Sequence, residues 1–181
     1  MTYAEYLALE RSSPGEKHEF LRGEVWAMAG GTPTHSLIGA NAGAELKAAL
    51  KGRPCAVFNA DLRVRVQETD RSTYPDVTVV CGKREVATDD ANAVTNPVLL
   101  VEVLSEGTEA DDRGEKFAHY QRLPSLREYV LVSQHTHRVE VFSRTDDNVW
   151  RYAAYGDGQA ARLEALGISL EVTSLYVDPT A

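Results

Sequence analysis

Val98-Leu99-Leu100-Val101-Glu102-Val103-Leu104 is the most apolar run in the chain, and a single carboxylate interrupts it. Its length and branched side chains suit a strand covered on both faces. An isolated carboxylate is costly to bury there, and the usual remedies are a proton, a partner or a metal ion. Glu102 is therefore either an acid at the strand's wet end, paired with some Arg or Lys, or a functional group.

On the C-terminal side, Gly107 to Leu123 reads as a helix, capped by Thr108 with Asp111 three residues on and stopped by Pro124. Lys116 then lies roughly 12 Å along the helix axis, and Glu102 roughly 7 Å back from its strand end. A helix returning antiparallel over the sheet brings the two to similar heights, and helical side chains lean toward the N-terminus. Asp112 and Tyr120, four residues to either side, share the face of Lys116. The bland alternative is an Asp112–Lys116 surface ion pair of little energetic consequence.

On the N-terminal side, Asp76-Val77-Thr78-Val79-Val80-Cys81 reads as a short buried strand opened by Pro75. A Pro-Asp step alone is a turn signal. Placed beside Glu102 at the end of an adjacent central strand, Asp76 makes a repelling pair of carboxylates, so that one pKa must rise. A hard dication such as Mg²⁺ relieves that repulsion and retains waters for a substrate phosphate.

Further out, Thr2-x-x-Glu5 resembles a capping box opening a helix from Tyr3 to Glu10. Glu19-Phe20-Leu21 and Glu24 to Ala29 form a hairpin hinged at Arg22-Gly23. A helix spans Thr34 to Leu50, and a strand spans Val57 to Val66, followed by a turn-rich stretch from Glu68 to Thr73 and a polar loop from Gly82 to Asn96. Glu128 to Val132, Arg138 to Ser143 and Trp150 to Tyr155 are strands, with an edge piece from Ile168 to Tyr176. The order predicts an α/β (α+β) arrangement, one mixed β-sheet flanked by helices.

The 181 residues are 43% hydrophobic and 25% charged, the balance of a globular protein that needs no staples. No apolar run is long enough to cross a bilayer, and an acidic start replaces the basic region of a secretory signal. A cytoplasmic, non-membrane protein is the expectation. Cys55 and Cys81 lack metal-site spacing and are read as small buried hydrophobes. A net charge of −8 disfavours non-specific coating of nucleic acid, although a local basic groove or a metal-bridged phosphate stays open.

Pro75-Asp76, then Glu102-Val103-Leu104-Ser105, then Asp112-x-x-x-Lys116-x-x-x-Tyr120 resembles the Uma2 family of endonucleases, within the PD-(D/E)XK nuclease superfamily. The likeness extends to His18-Glu19-Phe20-Leu21-x-Gly23-Glu24, to the helix opening with His35, and to Arg127-Glu128-Tyr129. It implies a restriction-endonuclease-like core with an N-terminal hairpin and a C-terminal β extension, one domain over residues 1–181. It also implies that Asp76 and Glu102 ligate Mg²⁺ or Mn²⁺, with the Val103 carbonyl and Glu19 contributing, and that Lys116 acts as the catalytic lysine. His35, Asp112 and Tyr120 are supporting residues in this reading. The lysine that the superfamily places two residues after Glu102 is Leu104 here, and Glu106-Gly107 replaces the more usual Pro-Ser.

The expected activity is Mg²⁺-dependent endonucleolytic hydrolysis of DNA. The alternatives are an inactive nuclease-fold binding or assembly module and a hydrolase of another phosphate ester. Arg63, Arg65 and Arg71, with Lys83 and Arg84, are candidates for a basic DNA-binding patch, the bland reading being a solvated face. A homodimer is expected by analogy with the pseudo-symmetry of a duplex. His135-x-His137 lacks a third ligand and reads as an exposed hairpin.

Overall fold

The computed structural model describes residues 1–28 and 30–181; Ala29, the last residue of the expected second hairpin strand, lies outside them. Helix α1 (Tyr3–Ser12) opens on the anticipated capping box, in which Thr2 Oγ1 accepts the Glu5 N–H and Glu5 accepts the Thr2 N–H. Strands β1 (His18–Leu21) and β2 (Glu24–Ala27) form an antiparallel hairpin. Its two turn residues, Arg22 and Gly23, both have positive φ (49° and 93°), as a tight two-residue hairpin requires. Helix α2 (Pro33–Ala49) starts from Thr32, whose hydroxyl accepts the His35 N–H, with proline in its first turn.

The expected strand from Val57 to Val66 is two strands, β3 (Cys55–Asn59) and β4 (Arg63–Val66), in different sheets. Asn59-Ala60-Asp61 makes the turn between them, with Asn59 Oδ1 accepting the Asp61 N–H. The stretch read as turn-rich ends in β5 (Arg71–Thr73). Then come β6 (Val77–Cys81), β7 (Ala93–Val94) within the polar loop, and β8 (Leu99–Leu104). The helix expected over Gly107 to Leu123 is broken into α3 (Glu109–Arg113) and α4 (Glu115–Tyr120). Gly114 between them has φ −112° and ψ −98°, and a Cβ there would come within 3.0 Å of the Ala110 carbonyl oxygen. Thr108 makes no side-chain cap, and Asp111 instead reaches Arg71. Strands β9 (Glu128–Ser133), β10 (Arg138–Arg144), β11 (Trp150–Gly156), β12 (Ala160–Leu163) and β13 (Ile168–Glu171) complete the fold, with a 3-10 turn over Val172–Tyr176.

The strands divide between two larger sheets rather than one. One is ordered β11-β10-β9-β8-β6-β3, the other β2-β1-β5-β4-β7, and β12-β13 form a hairpin of their own. In the first sheet β8 pairs parallel with β9 and antiparallel with β6, and every one of its residues is buried. Leu99, Val101 and Val103 pack in a core with Ile38, Ala42 and Leu46 of α2 and with the β12-β13 hairpin. Leu100 and Leu104 face a second core with Phe117 and Tyr120 of α4 and with Val64 and Val66 of the second sheet. Strand alternation puts Glu102 on this second face. The mixed α+β class thus holds, and the site lies where the two sheets and α4 meet.

Cys55 and Cys81 are not separate thiols. They face each other in the β3–β6 register, with Cα atoms 4.0 Å apart, and their sulfurs are joined. Facing antiparallel positions bring side chains this close irrespective of the 26-residue separation, so spacing carried no hint of the bond.

Glu128, the first residue of β9, is fully buried. Its Oε1 accepts the Ala165 N–H at 3.1 Å, while Oε2 has no partner among the described residues. Burial, opposed in part by the Ala165 hydrogen bond, lifts its pKa to about 7. A carboxyl whose folded pKa is raised favours folding at low pH, and that contribution disappears as pH climbs through the folded value. Between pH 4.5 and pH 8, Glu128→Gln should therefore gain about 3 kcal/mol relative to the wild type. Urea unfolding at the two pH values measures the change.

Candidate active site

Lys116 is the second residue of α4, directly after the α3–α4 break, and its side chain is buried. Its ammonium lies 2.7 Å from Asp112 Oδ1, 3.5 Å from Glu102 Oε1 and 3.6 Å from Glu19 Oε1. The Asp112–Lys116 pair is real but interior, since Asp112 is 2% exposed and Lys116 5%. Burial alone would depress the lysine pKa, but Glu102, Glu19 and Asp112 outweigh it and hold the group charged. Glu102 is raised well above the usual carboxylate range, chiefly by burial, with Asp112, Asp76 and Glu19 adding to the effect and Lys116 opposing it.

Tyr120, one helical turn past Lys116, donates its hydroxyl to Glu102 Oε1 at 2.8 Å and lies 2.8 Å from the Thr73 hydroxyl on β5. Asp76 stands just before β6, and its Oδ2 accepts the main-chain N–H of Val103 at 2.7 Å. His35 Nε2, in the first turn of α2, is 3.5 Å from the same oxygen. Burial raises the Asp76 pKa, while His35 and the Val103 N–H act against that rise. Glu19 comes from β1 and also approaches Arg71, whose Nη2 is 3.8 Å from Glu19 Oε2.

Glu19, His35, Arg71, Asp76, Glu102, Val103, Asp112 and Lys116 all line one cavity of about 730 Å³. A second cavity of about 740 Å³ runs along α2 and shares His35 and Asp76 with the first. The donor set is hard, anionic oxygen delivered by three separate elements, which suits Mg²⁺ or Mn²⁺. Burial raises the pKa values of Asp76 and Glu102, and a cation held between them would favour their charged forms. No three Asp, Glu, His or Cys side chains form a closed metal cage among the described residues. The Lys116 ammonium lies between Glu19 and Glu102 instead.

The family model named Uma2 and described as "Putative restriction endonuclease" matches residues 3–173. The chain belongs to the Uma2 family. Two Synechocystis proteins, each described as uncharacterized, are 36% identical over 172 residues and 35% identical over 150. The first match covers 95% of this chain and 89% of the relative, the second 83% and 84%. The crystal structure of an Anabaena variabilis protein described as a "putative nuclease belonging to DUF820" superposes with a TM-score of 0.78. It covers 97% of each chain at 18% identity, a likeness of fold.

In this Uma2 chain, three of the arginines read as a basic patch, Arg63, Arg65 and Arg71, are interior, while Arg84 and its neighbour Lys83 are exposed. Arg63 is held by Asp90 at 2.6 Å, by Glu10 at 3.2 Å and by the Tyr74 hydroxyl at 2.7 Å. Arg65 binds Asp70 at 2.6 Å and Asp89 at 3.1 Å, and lies over the Tyr3 ring. Arg71 is 1% exposed and binds Asp111 at 2.6 Å. The spacing of Arg63 and Arg65 on β4 matches a solvated strand face, but α1 and the acidic loop at Asp89–Asp90 cover that face. Three residues escaped the sequence reading of the site: Thr73, Asp111 as the partner of Arg71, and Trp26. The tight Arg22-Gly23 turn could have revealed Trp26, because it fixes which β2 residues face Glu19.

Lys116→Met would leave the Glu102, Glu19 and Asp112 carboxyls without their shared counter-charge. The expected loss is about 3–5 kcal/mol at pH 8, as when one partner of a buried pair is removed. Protonation of Glu102, which burial favours, should shrink the loss at pH 5. An equal loss at both pH values in urea titrations would show that the ammonium does not balance these acids.

Proposed function

We propose that this Uma2 protein is a dication-dependent endonuclease that hydrolyses DNA phosphodiester bonds. The supporting observation is the meeting of a buried lysine with acids from β1, β8 and α3 in one open cavity. Asp76 and Glu102, with Glu19 and the Val103 carbonyl, would hold Mg²⁺ or Mn²⁺. When bound, such an ion supplies Lewis-acid polarisation of the phosphate and a lowered pKa for the attacking water.

The remaining chemistry belongs to the chain itself. Tyr120 fixes one oxygen of Glu102, and the Val103 N–H with His35 fixes one oxygen of Asp76, so the acids are held before substrate arrives. Asp112 orients Lys116 from one turn away. Once the acids no longer rely on the ammonium as their counter-charge, Lys116 has the reach to hold a water or a phosphate oxygen. A fixed positive charge in a site of low dielectric offsets the charge that develops on the phosphorane-like transition state. Leu104 is packed in the core beside Phe117 and Leu131, so the ammonium comes from α4 in place of the strand.

Nicking of supercoiled DNA in Mg²⁺ or Mn²⁺ is the direct test, run below the melting temperature of each variant. Glu102→Gln and Lys116→Gln should each lower the rate by about 100-fold or more. Unchanged cleavage by Glu102→Gln would assign the activity to another site or a contaminant. Calorimetric titration with Mn²⁺ should show binding to the wild type and much weaker binding to Glu102→Gln. A wild-type protein that neither binds Mn²⁺ nor cuts DNA would instead be a binding module on a nuclease fold.

A further inference from the structure

Trp26 is the cross-strand partner of Glu19 in the β1–β2 hairpin. Facing residues of an antiparallel pair send their side chains to the same side, so Trp26 leaves the ribbon on the side of Glu19. Both line the cavity that holds Glu102 and Lys116. The alternate face of the hairpin is used differently: Phe20 packs its ring against Tyr3 and Tyr6 of α1.

Trp26 is 37% exposed and lies on an edge strand. Among the described residues no aromatic ring stacks on it and no hydrogen bond ties its indole. The other tryptophan shows what a packing role looks like here. Trp150 meets the Phe117 ring edge-on at 5.1 Å and lies under the Arg144 guanidinium at 5.4 Å.

The electrostatics of the site add a second argument. The chain carries −8 net charge, and Arg63, Arg65 and Arg71 are neutralised by Asp and Glu in the interior. A nucleic acid approaching this cavity needs an attraction that does not come from those arginines. An exposed indole supplies one, because every base has a π-face and stacking tolerates any sequence.

We propose that Trp26 is the stacking platform for an unpaired nucleobase beside the phosphate held at Glu102 and Lys116. The inference rests on the nuclease reading and narrows its substrate class. Bases inside a duplex have both faces covered by neighbours, so the preferred substrate carries a single-stranded, flipped-out or overhanging base at the site.

The test is binding of a fluorescently silent twelve-nucleotide oligothymidylate, a matched abasic oligomer and a blunt duplex, with Ca²⁺ in place of Mg²⁺. Oligothymidylate should quench the wild-type tryptophan emission, and the abasic oligomer and duplex interior should not. Trp26→Phe leaves Trp150 as the only tryptophan, so the quenching should vanish while binding is largely kept. Trp26→Ala should bind oligothymidylate about tenfold more weakly and bind the abasic oligomer as the wild type does. Equal affinity of Trp26→Ala and wild type for oligothymidylate, or equal quenching by duplex, would overturn the stacking role and leave the nuclease reading intact. Absence of wild-type binding to all three nucleic acids would sink both.

Discussion

One ammonium ion holds the centre of this fold together. Lys116 reaches from α4 into a space bordered by Glu19 of β1, Glu102 of β8 and Asp112 of α3. Without it those acids would face one another in a region that water does not screen, and burial already pushes Glu102 toward its protonated form. The lysine therefore ties two sheets and two helices by charge at the point where their apolar surfaces diverge. The same divergence opens the cavity that a substrate would enter.

Positive charge is brought to buried acids at several places in this protein. Arg63 joins Glu10 and Asp90, Arg71 joins Asp111 and approaches Glu19, and Arg113 joins Glu140. Each pair fastens a short element that could not hold itself. Asp111 and Arg113 pin the five-residue α3 from opposite sides, and Tyr129 adds a hydrogen bond to the Asp112 carbonyl at 2.9 Å. Isolated helices of this length are not stable in water, so Asp112 and Lys116 keep their alignment through these tertiary ties. The consequence is that Arg63, Arg65 and Arg71 are committed to acids of the protein itself.

The legible parts of the sequence were those governed by local periodicity. The run from Val98 to Leu104 reads as a covered strand and is one, and Lys116 lies beside Glu102 as expected, although a break at Gly114 interrupts the helix along which turns were counted. The hairpin was legible because Arg22-Gly23 tolerates the positive φ of a two-residue turn. What escaped depends on contacts distant in the chain. Arg63 and Arg65 alternate with Val64 as an exposed strand would, and nothing local shows that α1 and the Asp89–Asp90 loop cover them. The division of β3 from β4 turns on Asn59-Ala60-Asp61, three residues that a continuous β pattern on both sides conceals. The Cys55–Cys81 bond follows from register, which composition does not encode.

Placing the lysine on a helix rather than two residues along the strand changes what the core can do. Glu102 and Leu104 share one face of β8, so a lysine at 104 would bring its charge from the strand itself. Leu104 instead packs with Phe117 and Leu131, and the strand end is sealed by apolar contact. The ammonium must then be delivered by α4, and its position inherits whatever fixes that helix. Phe117, the neighbour of Lys116, stacks on Tyr129 at 5.0 Å and meets Phe142 at 4.7 Å and Trp150 at 5.1 Å. Tyr129 in turn holds the Asp112 carbonyl and touches the Tyr120 ring at 5.4 Å. Aromatic packing on one side of α4 thus sets the geometry of the charged groups on the other, and a close-packed cluster of this kind resists small displacements. Precision at the site is, by this route, a property of the core beneath it.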